Sequence, residues 1–240
     1  MAGHSKWAKV KHFKGAIDAK RSKLFGKIAK EIMIAVKMGS SGDPDMNPRL
    51  RMALLKARMA SMPRDNIERA IKKASGEGAA VSYEDLVYEV YGPSGVAILI
   101  ELSTDNRNRT SAEIRAILTR HNGSMATSGA VSRLFQKKGQ FIIEREAADE
   151  DKLMEVAMNA GAEDFKSEPE GYEIITEPGD FEAVSKALDE AGITCANASI
   201  TQLPTMITPV APDMVENVQK LIDALEDQDD VQEVFTNADM

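Results

Sequence analysis

The apolar residues of this chain change period near residue 80. Before it, Leu24, Phe25, Ile28, Ile32, Ala35 and Val36 recur at helical spacing. At about 100° per residue they share one arc, while Lys20, Lys23, Lys27, Lys30 and Lys37 gather on the opposite one. Gly39, followed by Ser40-Ser41-Gly42, ends this helix. Asn47-Pro48 supplies an N-cap and a first-turn proline for a second helix through Leu50, Ala53, Leu54 and Ala57. Pro63 opens a third, with Ile67, Ala70, Ile71 and Ala74 facing inward and Gly76 stopping it. Residues 1–78 therefore read as a three-helix unit behind an irregular arm, with residues 77–80 as a linker.

Beyond residue 80 strands alternate with helices. Leu86–Tyr91 and Val96–Leu102 read as strands joined by the turn Gly92-Pro93-Ser94-Gly95. The polar run Asp105-Asn106-Arg107-Asn108-Arg109 feeds Thr110-Ser111-Ala112-Glu113, a capping box that predicts a helix from there to about His121. Asn122-Gly123 breaks it, and a short strand or loop leads to Val131–Phe135. From Gly139 the order is strand (140–144), helix (149–160), strand (164–168), strand (172–177), helix (180–191) and strand (194–203). That βαββαβ order is the ferredoxin-like one. Met206–Val210, a helix over 213–225 and Val231–Phe235 add one more β-α-β. Strands from residues 81–135 are too few to close a sheet, so residues 205–240 are expected to return to them. The expected fold is α+β multidomain. It has a helical domain (1–78), a discontinuous α+β domain (81–135 plus 205–240) and an inserted ferredoxin-like domain (136–204). The crossings are expected at Phe135–Gln140 and Leu203–Thr205.

Charge divides the chain at the same place. The formal net charge is −8, yet residues 1–80 hold 18 Lys/Arg against 7 Asp/Glu, and residues 81–240 hold 12 against 31. Between Lys6 and Lys37 only Asp18 and Glu31 oppose Lys6, Lys9, Lys11, Lys14, Lys20, Arg21, Lys23, Lys27, Lys30 and Lys37. Trp7, His12 and Phe13 lie among the lysines of the arm, where no helix face needs solvating, and such rings stack on bases. This pattern points to nucleic acid as the partner of the arm and first helix; the bland alternative is a solvated lysine face. Arg49, Arg51, Arg58, Arg64 and Arg69 either extend the cationic surface or pair with acids such as Asp65 and Glu68. In Asp105–Arg109 the Asx residues suit turns and a helix cap, whereas two arginines exceed that need; capping and function both explain the run. The acidic domains suit contact with a protein partner or a second copy.

Other chemistry is poorly represented. His4, His12 and His121 lack zinc spacing, Cys195 has no companion, and no phosphate loop, dinucleotide fingerprint or nucleophile elbow is present. No catalytic residue, metal site or cofactor is expected. Carboxylate runs such as Asp227-Gln228-Asp229-Asp230 read as solvated helix ends, and Cys195 as a small buried apolar residue in a reducing cytoplasm. The aliphatic run Val96–Ile100 is far short of a membrane span, and no apolar segment of a signal peptide follows the basic start.

Several stretches taken together resemble the YebC/PmpR family, whose eukaryotic relatives include a mitochondrial translational activator. They are Met1-Ala2-Gly3-His4-Ser5-Lys6-Trp7, Asp43-Pro44 with Asn47-Pro48-Arg49-Leu50-Arg51, and Asn66-Ile67-Glu68-Arg69-Ala70-Ile71. Tyr88-Glu89 with Tyr91-Gly92-Pro93 and Asp105-Asn106-Arg107-Asn108-Arg109-Thr110 complete the match. Phe13 departs from it where relatives often carry a basic residue, as do Val90 and Ser94 where glycines are common. The resemblance implies the three-domain fold above and a cytoplasmic regulator of gene expression, either DNA-binding and transcriptional or ribosome-associated. In the second case it binds ribosomal RNA and relieves stalling, as at proline runs. A protein-interaction scaffold is a third reading.

Overall fold

A computed structural model describes residues 18–76 and 82–240, with side chains from Ser22 onward in the first helix. Helices α1 (Asp18–Gly39), α2 (Pro48–Met59) and α3 (Arg64–Ser75) close on a core of Ile28, Ile32, Ala35, Leu50, Ala53, Ala57, Ala70 and Ala74. The turn between α1 and α2 is organised by Asn47. Its Oδ1 accepts the Leu50 N–H (3.0 Å), capping α2, while its Nδ2 donates to the carbonyls of Ala35 and Ser41, both at 2.9 Å. Gly39 admits this side chain: a Cβ there would stand 2.3 Å from Asn47 Nδ2.

The middle unit contains strands β1 (Glu84–Tyr91) and β2 (Ala97–Thr104), helix α4 (Arg107–Arg120) and the short strand β3 (Ser124–Met125). Near the C-terminus helix α7 (Val215–Glu226) and strand β9 (Val231–Thr236) join them, giving the antiparallel order β3-β1-β2-β9. Strand β2 is apolar on both faces because both are covered. Ile98, Ile100 and Leu102 face Ile114, Leu118, Leu221 and Leu225 of the two helices, while Ala97 and Leu99 meet Val131, Phe135 and Phe235. Helix α4 starts three residues before the expected capping box. Asn106, in extended conformation, caps it by accepting the Arg109 N–H at 3.1 Å. Thr110 is not free to cap, since its hydroxyl is buried and bonded to Asp230 at 2.6 Å.

Between these segments lies strand β4 (Phe135–Glu144), then helix α5 (Glu150–Asn159), strands β5 (Asp164–Glu168) and β6 (Gly171–Thr176), helix α6 (Phe181–Glu190) and strand β7 (Asn197–Pro204). Their order, β5-β6-β4-β7 and antiparallel throughout, is that of a ferredoxin-like sheet. The whole is an α+β multidomain fold with the ferredoxin-like domain inserted in the α+β domain. Strand β4 begins five residues earlier than the expected 140–144. Its first half pairs with Thr201–Pro204, and Phe135 reaches the second face of the middle sheet. Inside the inserted domain the rings of Phe141 and Phe181 stack with centroids 4.6 Å apart. Gly139 leaves room for β6 and α6, because a Cβ there would meet Thr176 Oγ1 at 2.1 Å and Phe181 Cδ2 at 2.8 Å. The strand expected over Met206–Val210 shrinks to β8 (Thr208–Pro209), which runs parallel to β10 (Ala238–Asp239). Thr208 and Val210 donate to the carbonyls of Asn237 (2.8 Å) and Asp239 (3.1 Å), and Asn237 Nδ2 donates to the Met206 carbonyl at 3.1 Å.

Glu89, buried on β1, ties down the segment that leads into β4. Its carboxylate accepts the N–H groups of Gly129 (2.7 Å), Val131 (2.6 Å) and Ser132 (2.9 Å). Burial pushes its pKa up, but the three hydrogen bonds outweigh burial and hold it below the usual glutamate value. Glu89→Gln is expected to cost about 1–3 kcal/mol at neutral pH. A depressed folded pKa contributes stability above the unfolded value of about 4.3 and loses it as pH falls through the folded value. The melting temperatures of wild type and variant should therefore converge on acidification. A gap that stays constant down to about pH 3 would assign the effect to packing instead.

Candidate nucleic-acid interface

The lysines expected on an open face of α1 are, at three positions, docked on the body. Lys23 Nζ lies 2.8 Å from Asp227 Oδ1. Lys27 donates to the main-chain carbonyls of Glu226, Gln228 (3.2 Å) and Val231 (2.9 Å), at the C-terminal end of α7 where carbonyls lack helical partners. Burial lowers the pKa of Lys27, and the Glu226 carboxylate opposes it. Lys30 donates to the Asp229 carbonyl (3.0 Å) and to Asp230 Oδ1 (2.7 Å). The physical reason for the correction is charge. A lysine row spaced one turn apart meets an acidic segment about 200 residues away in sequence, as the separations of 199 to 204 in these bonds show.

Asp230 is the hub of this contact and overturns its reading as part of a solvated helix end. It is 2% exposed, and besides Lys30 it accepts from Thr110 (2.6 Å), Arg109 (2.9 Å) and Thr104 (3.1 Å). Burial raises its pKa, but Lys30, Thr110 and Arg109 together hold it far below the carboxylate range. The polar run before α4 divides accordingly. Asp105 pairs with Arg109 at 2.8 Å, Asn106 is the cap, and Arg109 also reaches Asp230. Arg107 and Asn108 are exposed.

The arginines of α2 are clamps between units. Arg49 forks onto both oxygens of Asp85 at 2.6 and 3.0 Å and reaches Ser103 Oγ at 3.2 Å. Arg51 bonds Glu182 of the inserted domain and the Pro44 carbonyl (2.8 Å). Between them in effect sits Lys56, 3.0 Å from Glu31 of α1 and 2.5 Å from Glu233 of β9. Burial lowers its pKa, but Glu233 and Glu31 outweigh it, so the ammonium is held charged. Met52, Leu55 and Met59 of the same helix pack on the inserted domain's core beside Cys195 and Ile200. Farther out, Arg64 pairs with Glu68 at 2.7 Å, and Arg69 bonds the Asp65 carbonyl and Asn66 within its own helix. Arg58 is exposed and Lys37 half-buried. Lys20 and Arg21 lie in the first turn of α1, while Lys6, Trp7, Lys9, Lys11, His12 and Lys14 lie outside the described residues.

Chemistry elsewhere is sparse. Burial pushes the Cys195 thiol up to about 12, which keeps it protonated and unreactive. Among the described residues no group of three His, Cys, Asp or Glu side chains is placed to hold a metal, and no helix is long and apolar enough to cross a membrane. The residues that matter most here, Lys56, Glu31, Glu233 and Asp230, carry no local motif. The available signal was the complementary pattern of Lys23, Lys27 and Lys30 against the acidic run at 226–233.

A helical unit clamped by charge onto an α+β body with an inserted ferredoxin-like domain defines a three-domain architecture built around a polar junction. The chain belongs to the TACO1/YebC family: the family's N-terminal domain matches residues 5–77, and its second and third domains match residues 83–238. Curated relatives named "Probable transcriptional regulatory protein" are 50% identical over 240 residues. Those from Desulfatibacillum aliphaticivorans and Geobacter sulfurreducens align with all of this chain and with 97% and 96% of their own lengths. The crystal structure of a conserved hypothetical protein from Aquifex aeolicus is 40% identical, with a TM-score of 0.81 over 93% of this chain and 92% of that one.

Asp230→Asn removes the charge shared by Lys30 and Arg109 and is expected to destabilise the protein by about 2–4 kcal/mol. Arg107→Ala, at an exposed position, should change stability by less than about 0.5 kcal/mol. Denaturant titration of both variants checks this; equal losses would contradict the hub.

Proposed function

We propose that the protein is a non-enzymatic, nucleic-acid-binding regulator of gene expression, a cytoplasmic DNA-binding transcriptional regulator acting through its basic arm. Residues 1–78 form the contacting unit. Residues 81–135 with 205–240, and the insert 136–204, are the acidic body, open to a protein partner or a second copy. The observation that carries this reading is the placement of charge. Lys23, Lys27, Lys30, Arg49, Arg51 and Lys56 have partners inside the protein. By contrast, Lys6, Lys9, Lys11 and Lys14 stand in a stretch with no acidic residue before Asp18. A cationic stretch with no acid in its own sequence and with Trp7 and His12 among its lysines suits phosphates and bases. Lys20, Arg21 and Lys37 continue it along α1. The relatives' printed name supports a regulatory role.

One observation favours ribosomal RNA as the target. Direct base readout in duplex DNA places a helix face in the major groove, and the lysine face of α1, the longest described helix, is occupied. Phosphate contact and ring stacking by the arm remain, and these serve single-stranded or structured RNA equally.

Crosslinking in cells, followed by sequencing of the attached nucleic acid, separates the two: promoter DNA supports transcription, ribosomal RNA supports translation. In vitro, replacing Lys9, Lys11 and Lys14 with Glu should weaken binding at least about tenfold and flatten the log–log salt dependence by about 0.9 per lysine on duplex DNA. Unchanged affinity, with the melting temperature of the variant intact, would remove the arm from the interface.

A further inference from the structure

We infer that residues 226–233 are an internal phosphate mimic that covers the lysine face of α1, and that a bound polyanion uncovers it. This rests on the reading of the arm as a nucleic-acid contact. The segment Glu226-Asp227-Gln228-Asp229-Asp230-Val231-Gln232-Glu233 carries five carboxylates in eight positions. It meets the lysines of α1 turn by turn. Asp227 takes Lys23, the carbonyls of Gln228 and Val231 take Lys27, and the Asp229 carbonyl with the Asp230 carboxylate takes Lys30; Glu233 takes Lys56 behind them. Anionic and carbonyl oxygens thus occupy, along one helix face, the places phosphate oxygens take on a nucleic-acid strand.

The cover is graded along the helix. At the end nearer the arm, Lys23 and Asp227 are 48% and 69% exposed, and such solvated pairs hold weakly. At the far end Lys30 and Asp230 are 23% and 3% exposed, and Asp230 is tied to α4 as well. Release therefore starts at Lys23. The arm precedes α1 in the chain, so a strand bound to the arm raises the local concentration of phosphates near Lys23. A phosphate that displaces Asp227 replaces one anion with another, which leaves no lysine unpaired. Lys27 follows, and the interface grows from the arm onto the helix. The same acidic segment rejects anions held too loosely to compete, which raises the threshold for casual binding.

The test uses the full chain with two carboxylates neutralised, Asp227→Asn, which pairs with Lys23, and Asp229→Asn, which lines the groove beside Lys23, Lys27 and Lys30, leaving Asp230 in place. A control, Asp151→Asn with Glu155→Gln on exposed α5, makes the same change in net charge. Fluorescent duplex DNA and a single-stranded RNA of equal length are titrated by anisotropy at several salt concentrations. The cover variant is expected to bind at least about threefold tighter than the control and to steepen the salt slope by about one to two phosphate equivalents. Adding Lys23→Ala to it should erase most of the gain. A cover variant no tighter than the control overturns the mimic. So does amide-hydrogen exchange at 226–233 that nucleic acid leaves unchanged in the wild type. If neither wild type nor any variant binds at low salt, the reading of the arm itself falls, and the mimic with it.

Discussion

The largely buried ammonium of Lys56, held between Glu31 of α1 and Glu233 of β9, fixes how the units meet. It stands on α2, whose apolar flank Leu50, Ala53 and Ala57 already belongs to the helical core. The next flank, Met52, Leu55 and Met59, belongs to the core of the inserted domain. Arg49 and Arg51, earlier on the same helix, reach the middle and inserted domains in turn. A single twelve-residue helix thus touches every unit, and its sequence has to satisfy three environments at once. Withdrawing Lys56 would leave two carboxylates facing each other with little water between them, which is why its charge persists against burial.

Both ion pairs and apolar packing join the units, and this has consequences for dynamics. Apolar interfaces are largely indifferent to salt, whereas exposed ion pairs are screened over about 8 Å at physiological ionic strength. The junction mixes both regimes. Asp230 and Lys56 are withdrawn from solvent, while Lys23, Arg49 and Arg51 hold partners at half-exposed positions. The body of the contact is therefore rigid and its margin responsive to ions.

The sequence made the units legible and left their union hidden, for a physical reason. Helical and strand periods depend on neighbours three, four or two residues away, so Leu24–Val36, Leu86–Tyr91 and the βαββαβ order could be read directly. The Asn47 cap was legible because capping is local. The start of α4 was misassigned because two local signals competed, and a distant residue decided between them: Asp230 consumed the Thr110 hydroxyl. Asp227–Asp230 looked like a solvated run for the same reason. Nothing within ten residues reveals that the Asp230 carboxylate is buried or that Asp227 pairs with a lysine of α1. Glu89, flanked by apolar strand residues, gave no hint that three backbone N–H groups on a later segment converge on it.

Where charge goes also decides what the N-terminal unit is for. Ten cations between Lys6 and Lys37 read as one continuous surface in the sequence. In the fold they separate by task. Lys23, Lys27 and Lys30 neutralise the end of α7 and its acidic turn, and so serve cohesion of the protein. The lysines before Asp18 have no acidic neighbour in sequence. Lys23, Lys27 and Lys30 follow this cationic stretch directly in sequence. Any ligand that extends past the arm must compete with the protein's own carboxylates. The apparent affinity of the surface is then the difference between two electrostatic contacts, which falls short of the strength of either alone.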